Sequence, residues 1–141
     1  MDKEAVRRLL TQMTPAEKMS SEEAKKFYAF GFSLYGAGSA QEAIDVFEVL
    51  CVQRPLEAKH WFGLAASLQE RSHYEKALPA WAMAAILDQS NPHPHFHAAE
   101  CCFAQGKQEE ARIALEAALI RSEQDSVLQD RIALLQHRWN Q

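Results

Sequence analysis

The chain has 141 residues, 48% apolar and 24% charged, the balance of a folded globular domain rather than a disordered segment. Lys and Arg number 15 against 19 Asp and Glu, giving a net charge of −4 with no basic run anywhere. This excludes the electrostatic footprint of a nucleic-acid binder, and the lack of any apolar stretch of about 18 residues excludes membrane insertion.

In chain order, residues 2–12 read as an amphipathic helix with Val6, Leu9, Leu10 and Met13 on its apolar side. Its interleaved acids and bases do not read as a secretory signal. Thr14, Pro15 and Glu17 mark a short turn. From there the chain repeats itself every 34 residues, over 24–57, 58–91 and 92–125. Ala43, Ala77 and Ala111 fall in register, as do Gly31, Ala65 and Ala99, and Phe47, Trp81 and Leu115. Gly38, Ser72 and Gly106 mark the same turn in each copy.

Each copy reads as two helices. Phe27, Phe30, Gly31 and Leu34 have the 3–4 spacing of one helical face, and Ala43, Phe47 and Leu50 repeat it. Ser39 with Glu42, and Ser72 with Glu75, have the spacing of capping boxes. Asn91 before Pro92 predicts a helix start, and Arg54-Pro55 predicts the end of the first pair. Pro79 lies inside a predicted helix, which should start late or bend there. Residues 126–141 hold a last helix, with Val127, Leu128, Ile132, Leu135 and Trp139 at helical spacing, that would cap the stack. The expected fold is all-α: one domain of three helix pairs, an N-terminal helical segment (1–23) and a capping helix.

The 34-residue pair resembles the tetratricopeptide repeat. Its pattern is carried here by Phe27, Phe30-Gly31, Leu34, Ala43, Phe47 and Pro55, then by Trp61, Leu64-Ala65, Leu68, Ala77 and Trp81. The third copy, His95, Ala98-Ala99, Cys102, Ala111 and Leu115, is weaker.

The chemistry-bearing residues read as structural. His93, His97 and Cys101 share a helix face, but prolines pin this stretch as a first turn and no fourth ligand is spaced to help; no metal is expected. Cys51, Cys101 and Cys102 read as reduced, buried thiols of a cytoplasmic protein. No phosphate loop, nucleophile elbow or acid–base pair appears, so neither an enzyme nor a cofactor is expected. The informative excess is aromatic. Beside the packing stripe of each first helix runs a second one: Tyr28, Phe32 and Tyr35, then Phe62 and Ala66, then Phe96, Glu100 and Phe103. A helix apolar nearly all round needs a second partner. In a tetratricopeptide stack this stripe lines the concave groove, so the expected ligand is an extended apolar peptide. The N-terminal helix itself is the alternative occupant. Phe32, Ala66 and Glu100 stand where clamps for acidic tails use asparagine, which argues against that ligand.

The stretches FGFSLYGAGSAQEAIDVFEVLCVQRP, HWFGLAASLQ and FHAAECCFAQGKQEEA closely resemble the class II chaperones of bacterial type III secretion, which hold hydrophobic translocators. The resemblance covers residues 20–125. It implies a groove that takes a translocator segment of the form Pro-x-Leu-x-x-Pro. Its apolar anchors would meet Tyr28, Phe32, Tyr35, Phe62, Ala66, Phe96 and Phe103, with Lys59, His97 and Glu100 as polar rim. It also implies a homodimer, for which Val6, Leu9, Leu10 and Met13 are the candidates. Two other readings stay open: a regulatory adaptor that binds a transcription activator, and a generic scaffold repeat.

Overall fold

In the computed structural model, residues 4, 5, 8 and 18–140 are described. Val6, Leu9, Leu10 and Met13, and the turn at Thr14, Pro15 and Glu17, lie outside the described residues. From Ser21 onward the chain is helical in three antiparallel pairs and one last helix. These are α1 (Ser21–Gly36) with α2 (Ala40–Gln53), α3 (Ala58–Glu70) with α4 (Tyr74–Leu87), α5 (His93–Ala104) with α6 (Gln108–Ile120), then α7 (Ser126–Trp139). No strand occurs among the described residues.

The turn inside each pair shows why the register is strict. Gly38, Ser72 and Gly106 take φ of 80°, 59° and 77°, the left-handed region. The next amide then reaches back to close the helix: Ser39 to the Leu34 carbonyl, His73 to Leu68 and Lys107 to Cys102, each at 2.9 Å. With the shorter bonds from Gly38 to Tyr35, Ser72 to Gln69 and Gly106 to Phe103, this is one Schellman turn built three times. The predicted capping boxes are displaced by it. Ser39 sits at the start of α2 but its hydroxyl makes no cap bond, and Ser72 is the left-handed residue itself, so His73 becomes the N-cap of α4. A true capping box lies upstream: the Ser20 hydroxyl accepts from the Glu23 amide at 3.1 Å, and the Ser20 amide donates to Glu23 at 3.2 Å. At α5 the N-cap is Pro92 rather than Asn91, whose side chain, one residue earlier, accepts from the His93 amide at 3.0 Å.

Helix α4 does not start late; it begins at Tyr74 and continues past Pro79 to Leu87. The proline withholds one ladder bond from the carbonyl of Glu75, an exposed residue whose carbonyl water can serve. One continuous core links the first two pairs, with Phe27, Leu34, Phe47, Leu50, Leu64 and Trp81 at its centre, and Met19 closes its near end. The Met19 amide donates to the Gln53 side chain at 2.8 Å, tying the start of α1 to the end of α2. A second core gathers Phe96, Ala99, Leu115, Leu128 and Ile132 under α7. Val127, on the opposite side of α7, is exposed. No helix among the described residues is long and apolar enough to cross a membrane.

Candidate binding groove

The first helices of the pairs, α1, α3 and α5, line one side of the stack, where the second stripe of α1 and α3 is only partly covered by the described residues. Phe32 is 63% exposed although it is a large apolar side chain. Tyr28, Phe32, Tyr35, Phe62, Ala66, His97 and Glu100 line a single pocket of about 350 Å³. Its floor comes from the second helices: Phe47 meets Tyr28 edge-on at 6.0 Å, and Trp81 meets Phe62 edge-on at 4.8 Å. Lys59 does not line this pocket. Its ammonium lies 4.9 Å above the Tyr28 ring, beside a smaller cavity shared with Tyr28 and Phe62.

Phe96 and Phe103 are not part of the pocket, contrary to the sequence expectation. Phe96 is 1% exposed and belongs to the second core, with the Arg131 guanidinium 4.7 Å over its ring. Phe103 stacks on Trp139 at 4.2 Å with the planes 11° apart. The cause is α7. Its Arg131 falls one repeat length after His97, so α7 stands where the first helix of a fourth repeat would, and it covers the stripe that α5 would otherwise leave open.

At the α5 end the pocket turns polar. The Trp81 indole donates to Gln69 at 2.9 Å, and the Gln69 amide donates to Glu100 Oε1 at 3.1 Å. His97 Nδ1 lies 2.7 Å from that same oxygen, and since a carboxylate only accepts, the imidazole donates. Burial pushes the Glu100 carboxyl up. The His97 bond and charge, the Gln69 amide and the Arg131 charge outweigh it, so the group sits below its usual range and stays ionised. Glu100 is therefore not the isolated side chain it looks in the sequence. His97 also stacks on Trp81, centroids 4.9 Å apart.

Several lining residues escaped the sequence reading. Phe47 and Trp81 read as core alone, and both are buried at 1% exposure, yet their rings form the pocket floor between the first helices. Gly63 is what opens one gap: a Cβ there would meet the Phe47 ring at 2.4 Å. Ala29, Gly63, His97 and Arg131 occupy one register position, a signal visible only when the copies are aligned. Gln69 and Glu70 end α3, and Arg131 comes from the cap.

The three cysteines are buried. Burial pushes the Cys51 and Cys101 thiols up to about 12 and raises Cys102 as well, which leaves them as thiols rather than nucleophiles. Among the described residues no group of three His, Cys, Asp or Glu is placed to hold a metal ion. His93 faces Asp125 at 3.4 Å, while His97 faces Glu100.

The tetratricopeptide repeat family matches residues 25–55 and 59–91. Low calcium response locus protein H of Yersinia pestis is 33% identical over 98 residues, 70% of this chain and 58% of that protein. The chain thus spans less than two thirds of the length of that curated relative. The type III secretion translocator chaperone SycD of Yersinia enterocolitica, solved with a peptide of the translocator YopD, superimposes with a TM-score of 0.83 at 27% identity, over 88% of this chain and 97% of that one. PcrH of Pseudomonas aeruginosa, solved with the chaperone-binding region of PopD, gives 0.84 at 27% identity, over 89% and 96%. These relatives are chaperones. Repeat signature, sequence identity and superposition over nearly the whole fold agree: the chain belongs to the tetratricopeptide-repeat chaperones of bacterial type III secretion translocators.

Proposed function

We propose that this protein holds an extended apolar segment of a type III secretion translocator in the pocket along α1, α3 and α5, and so keeps the translocator soluble and ready for export. The observation that carries this reading is the partly covered aromatic stripe. Tyr28, Phe32, Tyr35 and Phe62 form wells over a floor of Phe47 and Trp81, and nothing in the described chain covers Phe32. Burying apolar side chains there yields about 25 cal/mol per Å², offset in large part by ordering the peptide. Such binding needs no turnover, which fits three thiols held protonated by burial and a carboxylate already committed to structural hydrogen bonds. The protein would act in the bacterial cytoplasm, where an unshielded translocator segment would aggregate, and would do so without being an enzyme. Self-association through Val6, Leu9, Leu10 and Met13 belongs to the same reading; SycD has been solved as an alternative dimer.

The test is calorimetric titration of a synthetic peptide of the Pro-x-Leu-x-x-Pro form. The control is the double variant Phe32→Glu, Phe62→Glu, its helix content verified by circular dichroism. Saturable binding that the control loses is expected. No binding by the folded wild type, or equal binding by the folded control, would overturn the reading.

A further inference from the structure

An extended peptide brings a row of backbone N–H groups, and burying one without an acceptor costs affinity that apolar contacts must offset. Helix carbonyls along the groove are consumed by their own ladders. The acceptors must therefore be side chains. Tyr28 and Tyr35 offer hydroxyls at the α1 end, and Glu70 is exposed at the rim. Deeper in, the lining acceptors are Gln69, Glu100 and the Nε2 of a neutral His97, whose ring is stacked on Trp81. Gln69 is spent at both ends, accepting from Trp81 and donating to Glu100. Glu100 receives both of its hydrogen bonds, from Gln69 and His97, on Oε1. Its Oε2 receives none from the described residues.

We propose that Glu100 is a main-chain docking acceptor: its free Oε2 takes one backbone N–H of the bound segment and thereby fixes which residues fall into the aromatic wells. This rests on the groove reading above and adds a register-setting residue to it. The network around Glu100 suits the task. Two partners, Gln69 and His97, hold the carboxylate in one orientation, so little side-chain freedom is lost when a ligand binds. A basic side chain of the ligand is the competing donor for the same oxygen. The structure favours the amide, because Arg131 lines the same end of the pocket and opposes a second cation, while Phe62 and Ala66 offer it an apolar approach.

The experiment uses the peptide acetyl-Ser-Pro-Ala-Leu-Ala-Ser-Pro-Ala-amide and a set of analogues, each N-methylated at one non-proline residue. With the wild-type protein one analogue should lose about tenfold or more in affinity and the others much less. In Glu100→Gln, the bonds from Gln69 and His97 hold the amide oxygen inward and turn the –NH2 toward the ligand. That variant should bind the parent peptide about tenfold more weakly, and methylation at the sensitive position should then cost nothing further. A wild-type scan with no sensitive position overturns the proposal without needing any variant. So does a Glu100→Gln protein that binds like wild type or keeps the same sensitive position. A peptide with Lys in place of Ser that gains affinity only in the presence of Glu100 assigns the oxygen to a side chain and overturns the main-chain role. Failure of the parent peptide to bind the wild type removes the groove reading itself, which is a separate result.

Discussion

The junction between the first and second pairs and the junction between the third pair and α7 follow one register, yet the first leaves a pocket and the second closes. At the first, Gly63 faces the Phe47 ring, whose other side lies against Gly31, so the aromatic floor is visible from the groove. At the next position along, His97 stacks on Trp81 and brings a hydrogen-bonding edge. At the last, Arg131 lies over Phe96, and Trp139 covers Phe103. The stripe of each first helix carries at least one aromatic ring. What differs is the side chain that the following first helix places at one register position: none at Gly63, an imidazole at His97 and a guanidinium at Arg131, with the Trp139 indole added at the last junction. A repeat protein can in this way keep its packing register constant and still choose where its binding face is open.

Two substitutions would break or sharpen that contrast. The larger effect is expected at Gly63→Ala. A Cβ would clash with the buried Phe47 ring, which could give way only by leaving its place between Gly31 and Gly63. The variant should lose about 1–3 kcal/mol in a urea unfolding curve. Gly36→Ala, with nothing within 4 Å of the added carbon, is its control and should not lose stability. Equal stability of both variants would mean that the close approach at Gly63 does not set the floor. The smaller effect concerns the turn common to all three pairs. Ser72 takes a φ of 59° where the other copies use glycine, so Ser72→Gly should raise stability by about 0.5–1 kcal/mol. Thermal unfolding checks it, and a loss instead of a gain would show that the serine is held there by something other than the shared turn.

Much of this was legible in the sequence because a 34-residue period leaves each fact recorded three times. The helix pairs and the turns at Gly38, Ser72 and Gly106 follow from it, and the helical spacing of Leu128 and Ile132, both buried, gives the last helix. The misreadings have local causes. Spacing alone suggested capping boxes at Ser39 and Ser72, but the Schellman turn claims the backbone of one and the left-handed conformation of the other. Phe96 and Phe103 were assigned to the groove by register, because the sequence pattern says which face a residue is on but not whether a cap lies over it. Glu100 looked solitary because its partners Gln69 and Trp81 are one repeat upstream on different helices.

The most direct test of where the groove is open is a side-by-side titration of the same Pro-x-Leu-x-x-Pro peptide into Phe32→Ala and Phe103→Ala. The two rings occupy the same stripe, one at the open end and one beneath Trp139. The structure predicts a loss of about tenfold, or about 1.4 kcal/mol, for Phe32→Ala and an affinity close to wild type for Phe103→Ala. Equal losses, or the larger loss at Phe103, would show that the ligand reaches beneath α7 and that the closed junction is not closed.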